Sequence, residues 1–465
     1  MSVIKEIKAL QVYDSRGNPT IKVWVKTEKG TIGEAMVPSG ASTGIYEARE
    51  LRDSLKKDTE MLYDGFGVSK AVERVLKAIK PELLKKKISI DDQEKIDQTM
   101  IDLDKKLFSR SPCCEAKVSN KCCLGANAIL AVSMACARAA AQESGIPLYE
   151  YIRDLYNKKV KNKVGKLKNY VLPCPMANII NGGSHVDQGV DMQEYMVAPY
   201  GAKSFTEAVH MVFKTYKRLK EILKRNKLST CVGDEGGFAP KFDDNKEPIK
   251  YILEAIKDTE FEPGSDLYIT MDPASSEFYD QDDHRFGNRY KLSEYEDLLN
   301  FNKMIEVYKE FIDEFPEIIS IEDGLAQNDW KGWIEMTKEL GSKIQLVGDD
   351  LFVTCKNRLK EGIDKKAANA ILIKLNQIGT LTETLETIIL AKNNDYNTVI
   401  SHRSGETCDT FIADLAVAVN AGQIKTGALC RSERVSKYNR LLEIEVELGK
   451  KCRYVDMKKD LGLKP

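Results

Sequence analysis

Acidic residues stand at the ends of three successive apolar segments in the second half of the chain. The segments are "DLYITMD", "EIISIED" and "KIQLVGDD", and they place Asp272, Glu322 and Asp349 at or beside their ends. One such acid alone would more often be structural, but three acids meeting in one place repel unless a cation lies among them. Oxygen ligands suit a hard ion, and Mg²⁺ keeps positions for water or substrate. The pattern therefore favours a carboxylate-held Mg²⁺.

A lysine interrupts the next apolar segment, "ILIKLNQIGT" (371–380). An unpaired buried ammonium is costly, so Lys374 needs a reason to be there. Beside a metal cluster, cations and desolvation both favour the neutral amine, and we expect a pKa brought down toward neutral. Such a lysine can act as a general base. The alternative is a lysine that pairs with one buried acid.

Two glycine-rich stretches carry further polar groups. "VGDEGGFAP" contains Glu235 before a glycine pair, and "NGGSHVDQGVDMQEY" contains His185, Gln193 and Glu194 after one. Glycine lets the backbone approach a ligand closely. Of the four histidines, His185 in the second of these stretches and His402 in "SHRSGET" are predicted to be functional. The other two, His210 in a helical pattern and His284 in a polar loop, are predicted to be structural or solvated.

Basic and hydroxyl groups near these segments suit an anionic substrate. "SHRSGET" (401–407) offers Arg403 and hydroxyls, Lys425 follows in "QIKTG", and Ser39 lies in "VPSGASTG". Arginine and lysine are the usual partners of phosphate and carboxylate groups. The "SGASTG" stretch alone is weak evidence, because it lacks the ending of a P-loop.

Alternating strands and helices must position these groups. Strand patterns in the second half end on charged or polar residues at intervals that are often roughly 25 residues, which is typical of strand–helix units in a parallel barrel. In a barrel, all carboxyl ends of parallel strands meet at one mouth, whereas an open sheet would spread them along an edge. The sequence therefore favours an α/β barrel over a doubly wound sheet.

The first part of the chain has a different pattern of predicted secondary structure. Residues 4–37 alternate as a three-stranded antiparallel meander with "RGNP" and "EKG" turns, and helical patterns follow. This predicts an α+β N-terminal capping domain over residues 1–156. A lysine-rich connector, residues 157–169, then leads to a catalytic barrel domain over residues 170–465.

Bulk composition narrows the classes of function. The 465 residues are 42% hydrophobic and 30% charged, and 70 basic residues balance 71 acidic ones to a net charge of −1. Such balance gives no electrostatic reason to expect nucleic acid as the partner. No run approaches the roughly 18 apolar residues of a membrane span, and the N-terminus lacks a signal-peptide pattern. A cytoplasmic protein is expected.

The 11 cysteines argue against a disulfide framework in so large a chain. Cys113, Cys114, Cys122 and Cys123 bracket "EAKVSNK". Adjacent pairs are poor spacing for zinc, so this segment is predicted to be a surface insertion with free thiols.

Taken together, these motifs resemble the enolase family. The resemblance runs in order through "YDSRGNPT", "VPSGASTG", "LGANAIL", "NGGSH", "VGDEGGFAP", "SIEDGL", "KLNQIGTLTET", "SHRSGET" and "GQIKTGA" followed by "RSER". It implies a modified TIM barrel of eight strands, the first ones irregular, behind a small α+β domain. It also implies a cytoplasmic homodimeric lyase of glycolysis and gluconeogenesis that dehydrates 2-phosphoglycerate to phosphoenolpyruvate.

The resemblance implies a role for each matched residue. Lys374 would be the base at carbon 2 and Glu235 the general acid, with Glu194 and His402 also catalytic. Mg²⁺, two per site, would be held by Asp272, Glu322 and Asp349, with Ser39 contacting the second ion. The substrate-binding set would be His185, Gln193, Glu194, Glu235, Glu322, Asp349, Lys374, Ser401, His402, Arg403, Ser404 and Lys425. A lysine base working with Mg²⁺ is a known pattern of enolase-superfamily sites.

Two other functions compete with this one. Another α-proton-abstracting barrel enzyme, such as a racemase or a sugar-acid dehydratase, would need the same acids and lysine, but Ser39, "SHRS" and Lys425 favour a phosphorylated substrate. A catalytically silent binding or structural protein on the same fold is disfavoured by the complete set of acids together with Lys374 and Glu235.

Overall fold

The protein is described by a computed structural model that covers residues 1–40, 44–54, 58–110, 120–161, 165–183, 186, 189–280 and 289–463. Its N-terminal part begins with an antiparallel sheet in the order β1-β2-β3, which confirms the predicted meander. The three strands are β1 (Ile4–Tyr13), β2 (Pro19–Thr27) and β3 (Ile32–Met36).

One face of this sheet packs against a long alanine-rich helix. The helices of this part are α1 (Ser69–Arg74), α2 (Lys80–Lys86), α3 (Gln93–Arg110), α4 (Ala126–Ser144) and α5 (Leu148–Lys159). At Gly33 a Cβ would lie only 2.1 Å from the Ala135 carbonyl oxygen of α4, so only glycine permits this close approach. The small side chains of α4 let the helix lie directly on the strands.

The second part contains the remaining strands. They are β4 (Tyr170–Leu172), β5 (Cys174–Asn181), β6 (Glu194–Ala198), β7 (Tyr268–Asp272), β8 (Tyr279–Asp280), β9 (Arg289–Tyr290), β10 (Ile318–Glu322), β11 (Gln345–Gly348), β12 (Ala370–Ile373), β13 (Asn397–Ser401), β14 (Gly422–Lys425) and β15 (Cys452–Tyr454). Eight of them close a barrel in the order β10-β11-β12-β13-β14-β5-β6-β7. Neighbouring strands are parallel except that β6 runs antiparallel to both β5 and β7.

Helices surround the barrel. They are α6 (Phe205–Arg225), α7 (Glu247–Lys257), α8 (Phe301–Glu314), α9 (Trp330–Leu340), α10 (Lys356–Lys365), α11 (Leu375–Ile378), α12 (Leu381–Asn393), α13 (Phe411–Ala418), α14 (Ser432–Leu448) and α15 (Met457–Leu461). A large apolar core lies between these helices and the strands. The predicted α/β barrel is therefore confirmed, including its irregular first strands.

Side chains inside the barrel form layers, because alternate residues of a strand face the same side. A small apolar cluster crosses the middle of the barrel and consists of Met176, Met196, Val347, Ala370, Leu372 and Val399. At the amino ends of the parallel strands, Gln345 and Gln423 exchange hydrogen bonds of 2.9 and 3.0 Å. Their strands are separated by two others, so these bonds cross the barrel interior.

The two parts of the chain meet at the amino end of α12. Asp97 of α3 accepts a hydrogen bond of 3.0 Å from the Thr382 amide, and Ser133 Oγ of α4 accepts one of 3.1 Å from the Leu381 amide. Both cap amides that have no partner within the helix. The boundaries predicted around the lysine-rich connector stay a prediction. Within the described ranges, no helix has the length and apolarity to cross a membrane.

The predicted surface position is wrong for two of the four cysteines, because Cys122 and Cys123 are buried. The predicted free thiol is wrong for Cys122, which forms a disulfide, but is confirmed for Cys123. The reason for the burial is local, because Asp104 Oδ1 of α3 accepts hydrogen bonds from the amides of Cys123 (3.0 Å) and Leu124 (2.6 Å) and so draws this segment inward. Cys113 and Cys114 lie outside the described residues.

Candidate active site

The barrel brings ionisable residues from six consecutive strand ends to one mouth. Asp272, Glu322 and Lys425 end β7, β10 and β14, whereas Asp349, Lys374 and His402 immediately follow β11, β12 and β13. Strand alternation explains why these side chains point inward. Val347 and Leu372 belong to the interior cluster, so Asp349 and Lys374, two residues further on, face the same side. The apolar strand therefore delivers its lysine to the barrel mouth.

The antiparallel strand β6 explains how Glu194 reaches the same mouth. Because β6 runs against its neighbours, its first residue lies beside the last residues of β5 and β7, and Glu194 is paired with both Asn181 and Asp272. A pocket at this mouth is lined by eleven of the predicted residues: Gln193, Glu194, Glu235, Asp272, Asp349, Lys374, Ser401, His402, Arg403, Ser404 and Lys425.

Lys425 lies among three acids. Its Nζ donates to Asp272 Oδ2 at 2.7 Å and to Glu322 Oε1 at 2.9 Å, and it lies 3.2 Å from Glu194 Oε2. Burial lowers the pKa of Lys425, but the surrounding acids outweigh it and hold the pKa well above its ordinary value. One ammonium thus holds three buried carboxyl groups together.

Negative charge remains in excess around this lysine. Burial and the neighbouring Asp272 raise the pKa of Glu322 well above its usual range, even though Lys425 lowers it. The pKa of Glu194 is raised in the same way, by burial and then by the neighbouring Glu235. Glu322 Oε2 is also buried with no hydrogen-bond partner in the described part of the chain. A buried carboxylate oxygen without a donor, beside other acids, is the environment that a cation would satisfy.

Lys374 contacts the Asp349 carboxylate directly. Gln377 Nε2 donates to the other oxygen of Asp349 at 2.8 Å. Burial lowers the pKa of Lys374, but Asp349 raises it by more, so the pKa lies above the ordinary lysine value. The lowering expected beside a bound cation stays a prediction, whereas the pairing of Lys374 with one acid is the alternative that the sequence also left open.

His402 and Glu235 form a second buried pair. His402 Nε2 lies 3.2 Å from Glu235 Oε2, and Asn178 Nδ2 of β5 donates to the same oxygen at 3.1 Å. Burial, assisted by Arg434 and Lys425, lowers the pKa of His402 to about 3, although Glu235 raises it. His402 is thus a neutral imidazole through the neutral pH range.

Arg403 is held by a residue that sequence reasoning missed. Glu47, in the loop that follows β3, accepts from both ends of the Arg403 guanidinium at 2.9 and 3.1 Å. Asn376 Oδ1 accepts a further hydrogen bond from Arg403 at 3.2 Å. Glu47 lines the pocket, so the N-terminal part of the chain supplies one wall of it. The available signal was an acid eight residues after Ser39.

Ser39 is near this wall but does not line the pocket. Its Oγ donates to Asp14 Oδ2 at 2.6 Å, and its backbone pairs with Gly405 through hydrogen bonds of 2.7 and 2.9 Å. The contact of Ser39 with a second ion stays a prediction. His185 lies outside the described residues. Ser401 Oγ donates to the His402 carbonyl at 2.9 Å, and the Gln193 amide donates to the Asp272 carbonyl at 3.1 Å.

Two further acids at the mouth were also missed. Asp323, Asp349 and Asp350 have carboxylate oxygens within 4.8 Å of one another. Asp323 already accepts hydrogen bonds from the Asp349 amide (2.9 Å) and the Asp350 amide (2.8 Å), so it shapes this turn. Burial and Asp349 raise the pKa of Asp350 to about 7. Their position, directly after predicted site acids in "SIED" and "VGDD", was the available signal.

Two family models together match nearly the whole chain. A family model described as the enolase N-terminal domain matches residues 4–152. A second, described as the enolase C-terminal TIM barrel domain, matches residues 169–461.

Proposed function

The chain belongs to the enolase family, and we propose that it catalyses the reversible, Mg²⁺-dependent dehydration of 2-phosphoglycerate to phosphoenolpyruvate. The observation that carries this proposal is the pair of lysines at the barrel mouth, each in contact with carboxylates. Such a mouth can both remove a proton and stabilise the charge left behind.

Lys374 is the proposed base. It takes the proton from carbon 2, and the electron pair of that C–H bond moves toward the substrate carboxylate, which becomes a dianion. To accept the proton, Lys374 must first lose its own. The contact with Asp349 opposes this loss, so Lys374 must be freed from this pairing before it can act as the base.

Glu235 is the proposed general acid. The carbon 3–oxygen bond breaks, the hydroxyl takes a proton from Glu235 and leaves as water, and the electron pair at carbon 2 forms the new double bond. Burial beside His402 and Asn178 keeps Glu235 in a defined place and away from bulk water. Glu194 and His402 complete the proposed proton network.

Asp272, Glu322 and Asp349 would hold Mg²⁺. Their donor set is all oxygen, they lie at adjacent strand ends, and the buried Glu322 Oε2 is without a donor in the described residues. When bound, Mg²⁺ supplies positive charge where the carboxylate dianion develops. A second ion beside Ser39 is part of the proposal.

The remaining residues would bind the substrate. Lys425 would stabilise the carboxylate dianion, and Arg403, Ser401 and Ser404 would bind the phosphate; all four line the pocket. His185 and Gln193 complete the substrate-binding set. We also propose that the enzyme acts in glycolysis and gluconeogenesis as a cytoplasmic homodimer.

The test is the appearance of phosphoenolpyruvate absorbance when the purified chain is given 2-phosphoglycerate. We expect turnover with Mg²⁺ and none with a chelator. D-glycerate, which lacks the phosphate, serves as the matched substrate control and should not react. Reaction of glycerate or another unphosphorylated acid in place of 2-phosphoglycerate would favour a different proton-abstracting enzyme. No turnover of either would favour a binding protein on this fold.

A further inference from the structure

Arg434 is a fully buried guanidinium behind the pocket wall, near the start of α14. It donates to the carbonyls of Arg403 (2.6 Å), Ser404 (2.6 Å) and Asp234 (3.1 Å). These carbonyls belong to the two loops that carry His402 and Glu235. One arginine therefore ties together the segments that place these two groups.

A fourth contact fixes the imidazole itself. Arg434 Nη1 lies 2.6 Å from His402 Nδ1. A guanidinium has only donors, so Nδ1 must be the acceptor and carries no proton. A neutral imidazole with a bare Nδ1 has its proton on Nε2, and Nε2 is the atom that lies 3.2 Å from Glu235 Oε2.

We propose that Arg434 is a positioning residue that holds His402 as the neutral Nε2–H tautomer, with this single N–H 3.2 Å from the Glu235 carboxylate. This inference rests on the proposed role of Glu235 as the general acid. Asn178 Nδ2 donates to the same Glu235 oxygen, Oε2. Because Oε2 accepts this hydrogen bond, the proton that Glu235 delivers belongs on Oε1.

The charges that face His402 agree with this assignment. Arg434 approaches from α14 and Lys425 from β14, and both disfavour an imidazolium, whereas Glu235 from the loop before α7 favours it. Burial adds to the effect of the two cations, and the pKa falls to about 3. His402 thus supplies a neutral N–H group beside the acid rather than a titrating charge.

The tautomer can be observed in the unmodified, full-length protein. The chain has only four histidines, so a sample labelled with ¹⁵N in histidine gives few ring signals, and His402→Gln identifies the relevant pair. We expect a bare, hydrogen-bonded Nδ1 and a protonated Nε2, both unchanged between about pH 5 and 8. A protonated Nδ1, or a His402 ring that titrates in this range, would overturn the proposal.

Kinetics of Arg434 variants separate positioning from mere support of the fold. Arg434→Met should lower kcat for dehydration roughly 10–100-fold, by analogy with the loss caused by removing the outer partner of a metal-binding histidine. Exchange of the carbon-2 hydrogen with solvent, which depends on Lys374, should stay within a few-fold of the parent. Arg434→Lys keeps a cationic donor and should restore part of the dehydration rate.

Arg153 provides a matched control remote from the pocket. It is also a buried arginine, and it donates to the Val417, Ala418 and Asn169 carbonyls. Arg153→Met should leave the ratio of exchange to dehydration at the parent's value. If Arg434→Met lowers both rates equally, or neither, Arg434 only supports the fold. If the parent does not turn over 2-phosphoglycerate at all, the proposed function fails, while the ring signals still decide the tautomer.

Discussion

The two ends of the barrel interior carry different polar layers: a neutral layer of amides at the amino end and a charged layer at the mouth. At the amino end, Gln345 and Gln423 are neutral, and their amides bond to each other and to Ser320, Asn397 and Tyr200 at 2.9–3.1 Å. At the mouth, two to four residues further along β11 and β14, the same faces carry Asp349 and Lys425. These side chains belong to a cluster in which acids exceed lysines.

The difference indicates which layer serves stability and which serves chemistry. A neutral network with its hydrogen bonds made adds specificity at low electrostatic cost. A buried cluster of like charges destabilises the folded state, so we expect such a cluster where a bound ligand compensates the charge. The apolar cluster around Val347 and Leu372 separates the two layers, so each can be altered with little effect on the other.

The largest expected effect comes from Asp349→Ala. The change removes a proposed Mg²⁺ ligand and the partner of Lys374 together, so Mg²⁺ affinity should fall and turnover should be lost. The thermal midpoint of the metal-free protein should change little, because relief of repulsion with Glu322 offsets the lost pairing. Calorimetric Mg²⁺ titration and thermal unfolding measure both quantities. Undiminished Mg²⁺ affinity would remove the metal assignment.

A substitution in the glutamine layer at the amino end of the barrel should lower stability and leave turnover nearly unchanged. Gln345→Leu leaves the amide of Gln423 and the hydroxyl of Ser320 with lost partners, which should lower the free energy of unfolding by about 1–3 kcal/mol. The kcat of the folded enzyme should stay within a few-fold of the parent.

The double variant Gln345→Leu/Gln423→Leu provides the control for Gln345→Leu. It removes both partners of the central pair and should recover part of the lost stability in denaturant titration. A large loss of kcat in either variant would contradict the separation of the two ends.

The smallest expected effect concerns Asp97, where α3 caps α12. Burial raises the folded-state pKa of Asp97 to about 6 from 3.8. The folded state therefore holds a proton more tightly, and this contribution to stability is lost as pH rises through about 6. Asp97→Asn cannot titrate, so its stability relative to the parent should improve by about 1 kcal/mol from pH 5 to pH 8. A pH-independent difference would show that Asp97 does not titrate there.

Much of this arrangement could be predicted from local sequence. Strand alternation and the charged residue that closes each apolar segment predicted both the barrel and the convergence of Asp272, Glu322, Asp349, Lys374 and Lys425. What could not be predicted depends on contacts between distant segments. Glu47 binds Arg403 across 356 positions. Burial lowers the pKa of Lys374, but the charges around it, with Asp349 foremost, raise it above the ordinary lysine value.

The role of Arg434 also depends on contacts between distant segments, although its position in the helical pattern gives a weak indication. It lies on the buried face of α14 with Lys437, Tyr438 and Leu441, where helical spacing predicts apolar residues. Two cations on such a face indicate buried acceptors. The distant acceptors, which are loop carbonyls, the Glu406 carboxylate and the His402 ring, become visible only when α14 is packed against the loop that follows β13.

The most direct test of the central claim is proton NMR of 2-phosphoglycerate in heavy water with Mg²⁺. Lys374→Ala should lose both dehydration and carbon-2 hydrogen exchange, and Glu235→Gln should lose dehydration but keep exchange; each acid or base is worth about 10²–10⁴-fold. The matched control is Lys392→Met, which should keep both activities. Lys392 lies away from the pocket, where it donates hydrogen bonds to the Val419 and Asn420 carbonyls. Exchange at the parent's rate in Lys374→Ala would show that Lys374 is not the base.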